Sequence, residues 1–553
     1  MQLTKTQQIL LVTLSFLIVA FGQPYWSKVA SFLATTVGFG LFFRLLISFE
    51  SKKQRFCIAT GWFLAVQLVQ FTWFLSHPYL YIIAVYTFIS LLYALPFGCL
   101  GILAKPTKIT ALSRIVLIVS CWTLLEWSRL FLLSGIAFNP IGLSLSANLY
   151  TLQTAALWGA FGMSFWVLWV NMLGLKAWLE VPKIKSLLLW LACAAFPFVF
   201  GFVQFKIHQT NTTETFNAVL IQPVFPIEEN MEFKDSAAYV KFVRSEWEQI
   251  LKLSKPHLDK KVDLIALPEF VVPFSTYTPL FHYRDVEKIF IDVYGSDKKN
   301  HLPLLQEPIA KEYNTPQGPV WMVSNAYWLQ GLANMFNAPV IAGMMDVVDV
   351  YNGTRESYSS AQFVCPERGI YAEWPPFKRY DKRILVPMGE YIPFSFCRSI
   401  AAQYGISGSF TPGQNATIFS AKVPLGVSIC YEETFGHLMR ETRLNGAQLL
   451  VNLTSDIWYP TIAQQHCDHA RLRTTENGIP LVRACNTGIT TAFDSFGQEI
   501  QTLGQTHEEK IWNPGALYVE IPKHSYPTIY SILGDYLILA ISLIGLTWGW
   551  YKE

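Results

Sequence analysis

The sequence of 553 residues has few charged residues. Asp, Glu, Lys and Arg make up only 15% of it, whereas 52% is hydrophobic and 15% is aromatic. Soluble globular proteins have about 25% charged residues, so this composition argues against a wholly soluble chain. The net charge is only +3 and the sequence has no basic stripe, which excludes the electrostatic type of nucleic-acid binding.

Metal-binding patterns are also missing. None of the nine cysteines belongs to a CxxC pair, and no His/Cys spacing suits zinc. We therefore predict neither a metal site nor a cofactor. Five cysteines lie outside the most hydrophobic regions: Cys365, Cys397, Cys430, Cys467 and Cys485. Because five is an odd number, at least one of them is unpaired. The sequence leaves a Cys365–Cys397 disulfide open.

The hydrophobic residues are concentrated in residues 1–205 and near the C-terminus. Stretches long enough for membrane helices are predicted at residues 8–23, 29–48, 56–75, 80–103, 111–133, 155–175, 186–204 and 528–550. No A-x-A-like cleavage site follows the first stretch, so we interpret it as a span and not as a signal peptide. The sequence thus predicts an eight-span α-helical membrane domain.

Basic residues occupy alternate loops between these stretches. They are Lys52, Lys53 and Arg55, then Lys105, Lys108 and Arg114, then Lys176, Lys183 and Lys185. The opposite loops have almost none: Lys28 lies in the first, and residues 76–79 and 134–154 have no basic residue. Positive loops stay in the cytoplasm, so the N-terminus is predicted inside. Residues 206–526 then face the periplasm or exterior, and residues 527–553 form the last span and a cytoplasmic end.

Two charged residues, Glu126 and Arg129, interrupt the fifth apolar stretch. Charges at membrane depth are costly unless they are paired or hydrated. One interpretation is a local i,i+3 ion pair inside the helix bundle. The other is a site for a lipid head group or a hydrated cavity, and the sequence leaves both open.

Residues 206–526 alternate short apolar runs with longer amphipathic stretches. The predicted strands are Phe216–Gln222, Val262–Leu267, Pro339–Met344, Ser359–Val364, Val423–Ile429, Ala447–Leu453, Ile479–Cys485, Thr490–Asp494 and Leu517–Ile521. Continuous apolar runs are typical of strands buried on both faces. With helices predicted at Ser236–Ser254 and Ile462–Glu476, the pattern indicates a layered α/β domain. Runs separated by short turns near residues 340–364 and 480–494 predict hairpins, so the sheets are expected to be mixed.

Residues 274–328 do not fit this alternation. They are polar, aromatic and proline-rich, without a clear period. Long segments without regular structure are usually functional or mobile. We therefore interpret this segment as a long insertion or lid.

Three chemically suggestive residues follow predicted strands or lie in strand-end motifs. Glu269 ends the motif Leu267-Pro268-Glu269, Lys382 begins a motif that ends at Glu390, and Cys430 ends the run Val427-Ser428-Ile429-Cys430. A thiolate is a good acyl acceptor, a partly buried glutamate is a suitable base, and a lysine stabilises an oxyanion.

Each residue taken alone also has an ordinary interpretation. Pro-Glu often precedes a helix N-terminus, where an acid suits the dipole, and a buried cysteine is commonly an inert small hydrophobe. Lys382 alone would be a solvated surface residue. The combination of the three residues in this order favours a thiol-dependent site, with Gly389 providing a turn that aims Glu390 at Lys382 or Glu269.

The order Glu, Lys, Cys resembles that of the nitrilase superfamily, whose members act on carbon–nitrogen bonds. Longer segments are similar to those of the bacterial apolipoprotein N-acyltransferase family. They are residues 379–393 (RYDKRILVPMGEYIP), 429–432 (ICYE), 455–458 (SDIW) and 477–483 (NGIPLVR). The chain differs from the usual pattern of this family at Val224, Met388 and Ser455.

This resemblance implies an external α-β-β-α sandwich and transfer of an acyl chain. The donor would be a phospholipid, typically phosphatidylethanolamine, and the acceptor the N-terminal amine of a diacylglyceryl-cysteine on an apolipoprotein. It also implies a monomer in the bacterial inner membrane. By resemblance Glu269 is the general base, Lys382 the oxyanion-stabilising residue and Cys430 the nucleophile. Supporting roles are implied for Glu390, Glu432 and Tyr431, and a substrate-binding role for Trp458.

Two alternatives are weighed against this function. A membrane-tethered amidase of the nitrilase type would hydrolyse small amides, but eight spans exceed what a tether needs. A non-enzymatic membrane protein or transporter is the other. The presence of Glu269, Lys382 and Cys430 together argues against an inactive domain, and the scarcity of charge in the spans argues against a transporter.

Overall fold

The computed structural model describes residues 3–209, 213–227, 231–350, 354–367, 377–403 and 409–552. The chain divides into two compact units. The first consists of Met1–Thr210, Gln464–Gly478 and Tyr526–Glu553, and the second of Asn211–Ala463 and Ile479–Ser525. The sequence did not predict that a segment from the middle of the α/β region groups with the N-terminal helices.

The α-helices of the described residues have the following bounds in chain order. They are α1 Lys5–Ala20, α2 Lys28–Leu33, α3 Phe39–Leu46, α4 Lys52–Gln70, α5 Ile82–Leu103, α6 Leu112–Ser128, α7 Leu149–Leu152, α8 Ala155–Leu179, α9 Ile184–His208, α10 Ser236–Ser254, α11 Tyr283–Tyr294, α12 Asn325–Phe336, α13 Arg398–Gln403, α14 Gly436–Leu444, α15 Ala463–Asn477, α16 His507–Trp512, α17 Ile529–Leu533 and α18 Tyr536–Tyr551.

Helices lie in all of the predicted hydrophobic stretches. Four helical segments of the described chain are long and apolar enough to cross a membrane: Lys28–Leu46, Ile82–Leu103, Ala155–Leu179 and Ile184–His208. The apolar helices α1 and α18 are shorter. The structure therefore contains helices suited to a membrane, and the number of eight spans stays a prediction.

The charged residues of the fifth stretch form a local pair. Arg129 Nη2 lies 3.0 Å from Glu126 Oε1, and Arg129 Nε donates to the Glu126 carbonyl oxygen at 3.0 Å. The guanidinium stacks 4.0 Å from the centre of the Tyr93 ring. Glu126 Oε1 also accepts from the Ile141 amide at 3.0 Å. The structure thus shows the i,i+3 pair, which joins α6 to the segment after it.

The second unit contains all the strands of the described residues. They are β1 Thr215–Gln222, β2 Leu264–Leu267, β3 Phe281–His282, β4 Ala310–Thr315, β5 Gly318–Val323, β6 Val340–Val350, β7 Thr354–Val364, β8 Lys378–Asp381, β9 Ile418–Ser420, β10 Pro424–Ile429, β11 Leu449–Thr454, β12 Leu481–Cys485, β13 Thr491–Phe493, β14 Glu499–Thr502 and β15 Gly515–Pro522.

These strands form two six-stranded sheets and one small sheet. The orders are β15-β1-β2-β6-β7-β8, β14-β13-β12-β11-β10-β9 and β3-β5-β4. The central strands β1, β2 and β6 are parallel, as are β10, β11 and β12. The carboxyl ends of parallel strands meet at one edge of a sheet, where loops can bring functional side chains together.

Alternate side chains of the first sheet enter two different cores. Ala218 and Leu220 of β1 pack between the two large sheets, whereas Val219 and Ile221 pack with Trp247 and other residues of the flanking helices. Helix α14 packs on β10 of the second sheet. The predicted layered α/β domain is thus confirmed, because apolar runs buried on both faces supply both cores at once.

The predicted hairpins are confirmed as well. Strands β6 and β7 pair antiparallel along their whole length, and β12 pairs antiparallel with β13 over residues 481–483. Helix α10 has the predicted bounds, Ser236–Ser254, and begins at an Asp235 N-cap whose side chain accepts from the Ala238 amide. An N-cap acceptor of this kind satisfies a free amide of the first turn.

The expectation that residues 274–328 lack regular structure is wrong, whereas their interpretation as an insertion or lid stays a prediction. The segment contains β3, α11, β4 and β5, and the first residues of α12. Helix α11 buries Val286, Phe290 and Val293, which follow the i, i+4, i+7 spacing of one helix face. The intervening charged and tyrosine residues hid this short period in the sequence.

Candidate active site

Glu269 lies just beyond the carboxyl end of β2. The Pro268 carbonyl oxygen accepts from the Gly343 amide at 3.1 Å, and the Val271 amide donates to the Gly343 carbonyl oxygen at 2.9 Å. A Cβ at residue 343 would lie 2.5 Å from Glu269 Cα and 2.6 Å from Pro268 O. The backbone of β6 thus approaches Glu269 as closely as only glycine permits.

The substitution Gly343→Ala is therefore expected to displace Glu269 by shifting its backbone. A displacement of this kind can lower a rate about 100-fold. We expect a loss of acyl transfer of that order with little change in KM, measured by steady-state kinetics. Gly61→Ala is the matched control, because a Cβ at residue 61 would lie in open space. Gly318→Ala is unsuitable, because φ is +112° there and alanine would be strained. Equal rates for Gly343→Ala and Gly61→Ala would contradict this prediction.

Lys382 follows directly after β8 and is held by its backbone. Its amide donates to the Ser359 carbonyl oxygen at 2.8 Å, and its own carbonyl oxygen accepts from the Gly413 amide at 2.8 Å. The ammonium Nζ donates to Glu269 Oε1 at 2.9 Å and to Glu390 Oε1 at 2.7 Å. The side chain of Lys382 is only 1% exposed, so the site contains a buried cation between two carboxylates.

Glu390 reaches Lys382 through a tight turn. The Glu390 amide donates to the Val386 carbonyl oxygen at 2.9 Å, and Glu390 Oε2 accepts from the Val386 amide at 2.8 Å. The turn was expected to depend on Gly389, but the residue in the left-handed region is Met388, with φ of +66°. A non-glycine residue in that region is strained, and the bond from the Met388 amide to the Tyr391 carbonyl oxygen holds it there.

Cys430 stands at the end of β10, where the chain turns into the 3-10 helix Cys430–Thr434. Its φ is +50°, so the nucleophile candidate lies on a strained corner. Asn452 Nδ2 donates to the Cys430 carbonyl oxygen at 3.3 Å, and Cys430 Sγ lies 4.0 Å from the Ser455 carbonyl oxygen. The Glu269 carboxylate also acts electrostatically on this thiol and raises its pKa.

The three groups perturb one another's pKa values. Burial raises the pKa of Glu269, against the opposing effect of the Lys382 charge, and Glu390 raises it further. Burial opposes the charge of Lys382, but Glu269 and Glu390 together raise its pKa well above the usual value. Burial and then Glu269 raise the pKa of the Cys430 thiol, while Lys382 lowers it. The thiol is therefore protonated at rest and needs a base.

Glu432 connects the lysine segment to the cysteine turn. Its buried carboxylate accepts from the Tyr380 hydroxyl at 2.8 and 2.9 Å and from the Ile429 amide at 2.8 Å. It also accepts from the Arg383 and Ile384 amides at 2.6 and 3.2 Å. A carboxylate that accepts from this many donors cross-links the segments to which the donors belong. The sequence singled out Glu432 but assigned no role to Tyr380.

The remaining candidates lie at the same edge of the second sheet. Tyr431 is buried, with its ring 5.0 Å from that of Phe435 in an edge-to-face contact, and Trp458 is half-buried in the loop after β11. The sequence missed the buried ion pairs of Arg483, which lies inside the apolar run of β12. A charge within such a run signals a buried partner, so it could have been found.

The sequence left a Cys365–Cys397 disulfide open and predicted no metal site. Cys365 and Cys397 are both free thiols, so the disulfide that the sequence left open does not form. No group of three or more His, Cys, Asp or Glu side chains suited to a metal ion occurs within the described ranges. The chemistry available at this edge is a thiol, a base and a buried cation, a combination suited to acyl transfer.

Two family models match different parts of the chain. Residues 10–173 match the family model described as apolipoprotein N-acyltransferase N-terminal domain, and residues 243–524 match the one described as carbon-nitrogen hydrolase. Among solved structures, an amidase from Nesterenkonia sp. is similar with a TM-score of 0.32 and 16% identity, covering 57% of this chain and 94% of that chain.

Proteins named apolipoprotein N-acyltransferase match almost the whole chain. The apolipoprotein N-acyltransferase of Chlamydia caviae is 32% identical over 96% of this chain and 95% of its own length. That of Chlamydia pneumoniae is 30% identical over 97% of this chain and 95% of its own length. Together with the model of the N-terminal domain, these similarities show that the chain belongs to the apolipoprotein N-acyltransferase family.

Proposed function

We propose that this enzyme moves an acyl chain from a phospholipid to the N-terminal amine of diacylglyceryl-cysteine on apolipoproteins, the last step of lipoprotein maturation. The observation that carries the proposal is the buried Lys382 ammonium, which lies 2.9 Å from Glu269 Oε1, in a site where both groups act electrostatically on the Cys430 thiol. Phosphatidylethanolamine is the proposed donor, and the enzyme is proposed to act as a monomer without a cofactor.

In the first half-reaction Glu269 removes the proton from Cys430 Sγ, and the thiolate attacks the ester carbonyl of the phospholipid. The Lys382 ammonium is placed to stabilise the oxyanion of the tetrahedral intermediate. The C–O bond then breaks, and the proton held by Glu269 passes to the departing alkoxide. The products are a Cys430 thioester and a lysophospholipid.

In the second half-reaction the amine of the apolipoprotein attacks the thioester carbonyl. Glu269 removes a proton from the attacking nitrogen and returns one to the departing thiolate, so an amide forms and the thiol is restored. A thioester retains enough transfer potential for this step without ATP. The two half-reactions share one covalent intermediate, so ping-pong kinetics follow.

The membrane arrangement belongs to the same proposal. We place eight spans in the bacterial inner membrane, with the catalytic domain, residues 206–526, on the periplasmic side and the chain ends in the cytoplasm. The alternating loop charges support this orientation. Both substrates are lipids of that membrane, which accounts for a helical domain much larger than a simple tether requires.

Mass spectrometry of the full-length enzyme tests the mechanism. After incubation with phosphatidylethanolamine alone, we expect an acyl adduct on the peptide that contains Cys430. Cys430→Ala should show no adduct, because the residue that forms the thioester is gone. Cys365→Ala is the matched control, since Cys365 is a free and exposed thiol, and it should retain the adduct.

The acceptor decides between transfer and hydrolysis. A diacylglyceryl peptide with a free N-terminal amine should remove the acyl group from Cys430 and gain it as an amide. If the adduct instead disappears equally fast in buffer alone, the enzyme is an amidase-like hydrolase. An unmodified Cys430 thiol after incubation with donor would show that the thioester mechanism is wrong.

A further inference from the structure

A second buried group of charges lies next to the cysteine turn. Arg483, on β12, donates from Nε to Glu433 Oε1 at 3.1 Å and from Nη2 to Asp456 Oδ2 at 3.2 Å. Its Nη1 donates to the Ile489 carbonyl oxygen at 2.9 Å. The side chains of Arg483 and Glu433 are fully buried and that of Asp456 is 2% exposed. None of these charges reaches bulk water.

Stability alone does not explain such a group. Removing ions from water is costly, and well-packed apolar residues in place of a buried ion pair are often as stable or more so. The geometry of the three charges, by contrast, is specific, because a guanidinium fixes the directions of its donors. This specific geometry points to the segments that carry the two carboxylates, Glu433 and Asp456.

The two carboxylates belong to the two segments that surround the thiol. Glu433 is part of the 3-10 turn that begins at Cys430. Asp456 follows Ser455, whose carbonyl oxygen lies 4.0 Å from Cys430 Sγ. Arg483 therefore joins the turn that carries the thiol to the loop that contacts it.

A polar row leads across the sheet to the same place. Arg483 is in register with Asn452 of β11, and Asn452 with Ser428 of β10. Asn452 Nδ2 donates to Ser428 Oγ at 3.0 Å and to the Cys430 carbonyl oxygen at 3.3 Å. Three neighbouring parallel strands thus present polar side chains on one face, and the row ends at the cysteine corner.

We propose that Arg483 is a positioning residue for the Cys430 thiol. Its guanidinium holds the cysteine turn through Glu433 and the loop after β11 through Asp456, and its charge balances these two carboxylates beside the thiol. The inference rests on the proposed function, because it assigns Arg483 to the reaction of Cys430. It adds a residue that acts through others and does not touch the substrate.

The electrostatic part of the role has a definite sign. Burial, then Glu269, and also Asp456 raise the pKa of the Cys430 thiol. Loss of the Arg483 charge leaves Asp456 unbalanced and should raise this pKa further. Loss of the Asp456 charge should lower it. A residue with only a structural role would not give opposite shifts.

The test measures alkylation of Cys430 by iodoacetamide against pH, by peptide mass spectrometry of the full-length protein in detergent. In Arg483→Gln we expect alkylation at neutral pH to be about tenfold slower, as one unit of thiol pKa implies. In Asp456→Asn the pH midpoint should move down. Both variants should lose kcat, about 100-fold for a displaced nucleophile, with KM little changed.

Further variants keep the test decisive if Arg483→Gln does not fold. Glu433→Gln and Asp456→Asn preserve side-chain shape and should each shift the alkylation midpoint to lower pH, and Arg483→Lys should restore part of the wild-type profile. Arg443→Gln is the matched control. Arg443, on α14, donates to the Ala447 carbonyl oxygen at 2.9 Å, and its removal should leave the profile unchanged.

Two outcomes overturn the proposal. One is a wild-type alkylation profile in both Arg483→Gln and Asp456→Asn. The other is a lower melting temperature without any shift in that profile, which is the result of a purely structural role. Failure of the proposed function is a separate result, because wild-type enzyme would then form no acyl adduct with phosphatidylethanolamine while the alkylation shifts could still occur.

Discussion

Lys382→Met is expected to abolish acyl transfer and to destabilise the catalytic domain. The Lys382 ammonium is the buried cation between Glu269 and Glu390, at 2.9 and 2.7 Å. Breaking a buried ion pair by removal of one partner costs about 3 to 5 kcal/mol. Without the cation, nothing opposes the effect of burial and of the Glu390 charge on Glu269, so the pKa of Glu269 rises further and its protonated form, which is not a base, is favoured.

We expect the rate of acyl transfer to fall about 10³-fold from the loss of oxyanion stabilisation. Steady-state kinetics and thermal unfolding measure the two effects. Lys422→Met is the matched control, because Lys422 pairs with Asp263 at 2.8 Å and is one-third exposed. A partly exposed pair contributes about 0 to 1 kcal/mol. If Lys382→Met transfers acyl chains as fast as Lys422→Met, Lys382 does not stabilise the oxyanion.

Glu269→Gln is expected to prevent formation of the acyl adduct on Cys430. Loss of a general base lowers a rate about 10³-fold, and the thiol, whose pKa is raised by burial, does not ionise unaided. Lys382 keeps Glu390 as a partner in this variant, so we expect it to fold. The time course of adduct formation with phosphatidylethanolamine measures the effect, with Glu248→Gln, at an exposed pair with Lys252, as control.

The pH dependence of the same reaction gives an independent check. Burial raises the pKa of Glu269, and the base must be ionised to work. The wild-type rate should therefore fall as pH decreases through this raised pKa, at a higher pH than the ordinary glutamate value of about 4.3. The residual rate of Glu269→Gln should lack this fall. If the adduct forms in Glu269→Gln at the wild-type rate, Glu269 is not the base.

The main elements of the second unit could be predicted because their signals are local. A run such as Val219-Leu220-Ile221 is continuous and apolar, and β1 is buried on both faces. The same kind of signal gave the hairpin of β6 and β7 and the exact bounds of α10. It failed for α11, whose apolar positions, such as Phe290, are separated by charged residues.

The composition of the site was predictable, but its contacts were not. Lys382 and Glu269 are 113 residues apart, so their ion pair depends on the order of strands within the first sheet. The sequence suggested Gly389 as the turn residue, but the positive φ lies at Met388, whose amide donates to the Tyr391 carbonyl oxygen. The partners of Arg483 were missed because Glu433 and Asp456 are 50 and 27 residues away from it along the chain.

The strand ends, the hydrophobic stretches and the family resemblance of the motifs could all be inferred from the sequence, since these depend on neighbours along the chain. The burial of Lys382 between two carboxylates, the strained corner at Cys430 and the pairing of Arg483 with Glu433 and Asp456 arise only in the folded chain. Burial, pKa and ion pairing at this site involve groups distant in sequence, which only the pairing of strands and the packing of helices bring together.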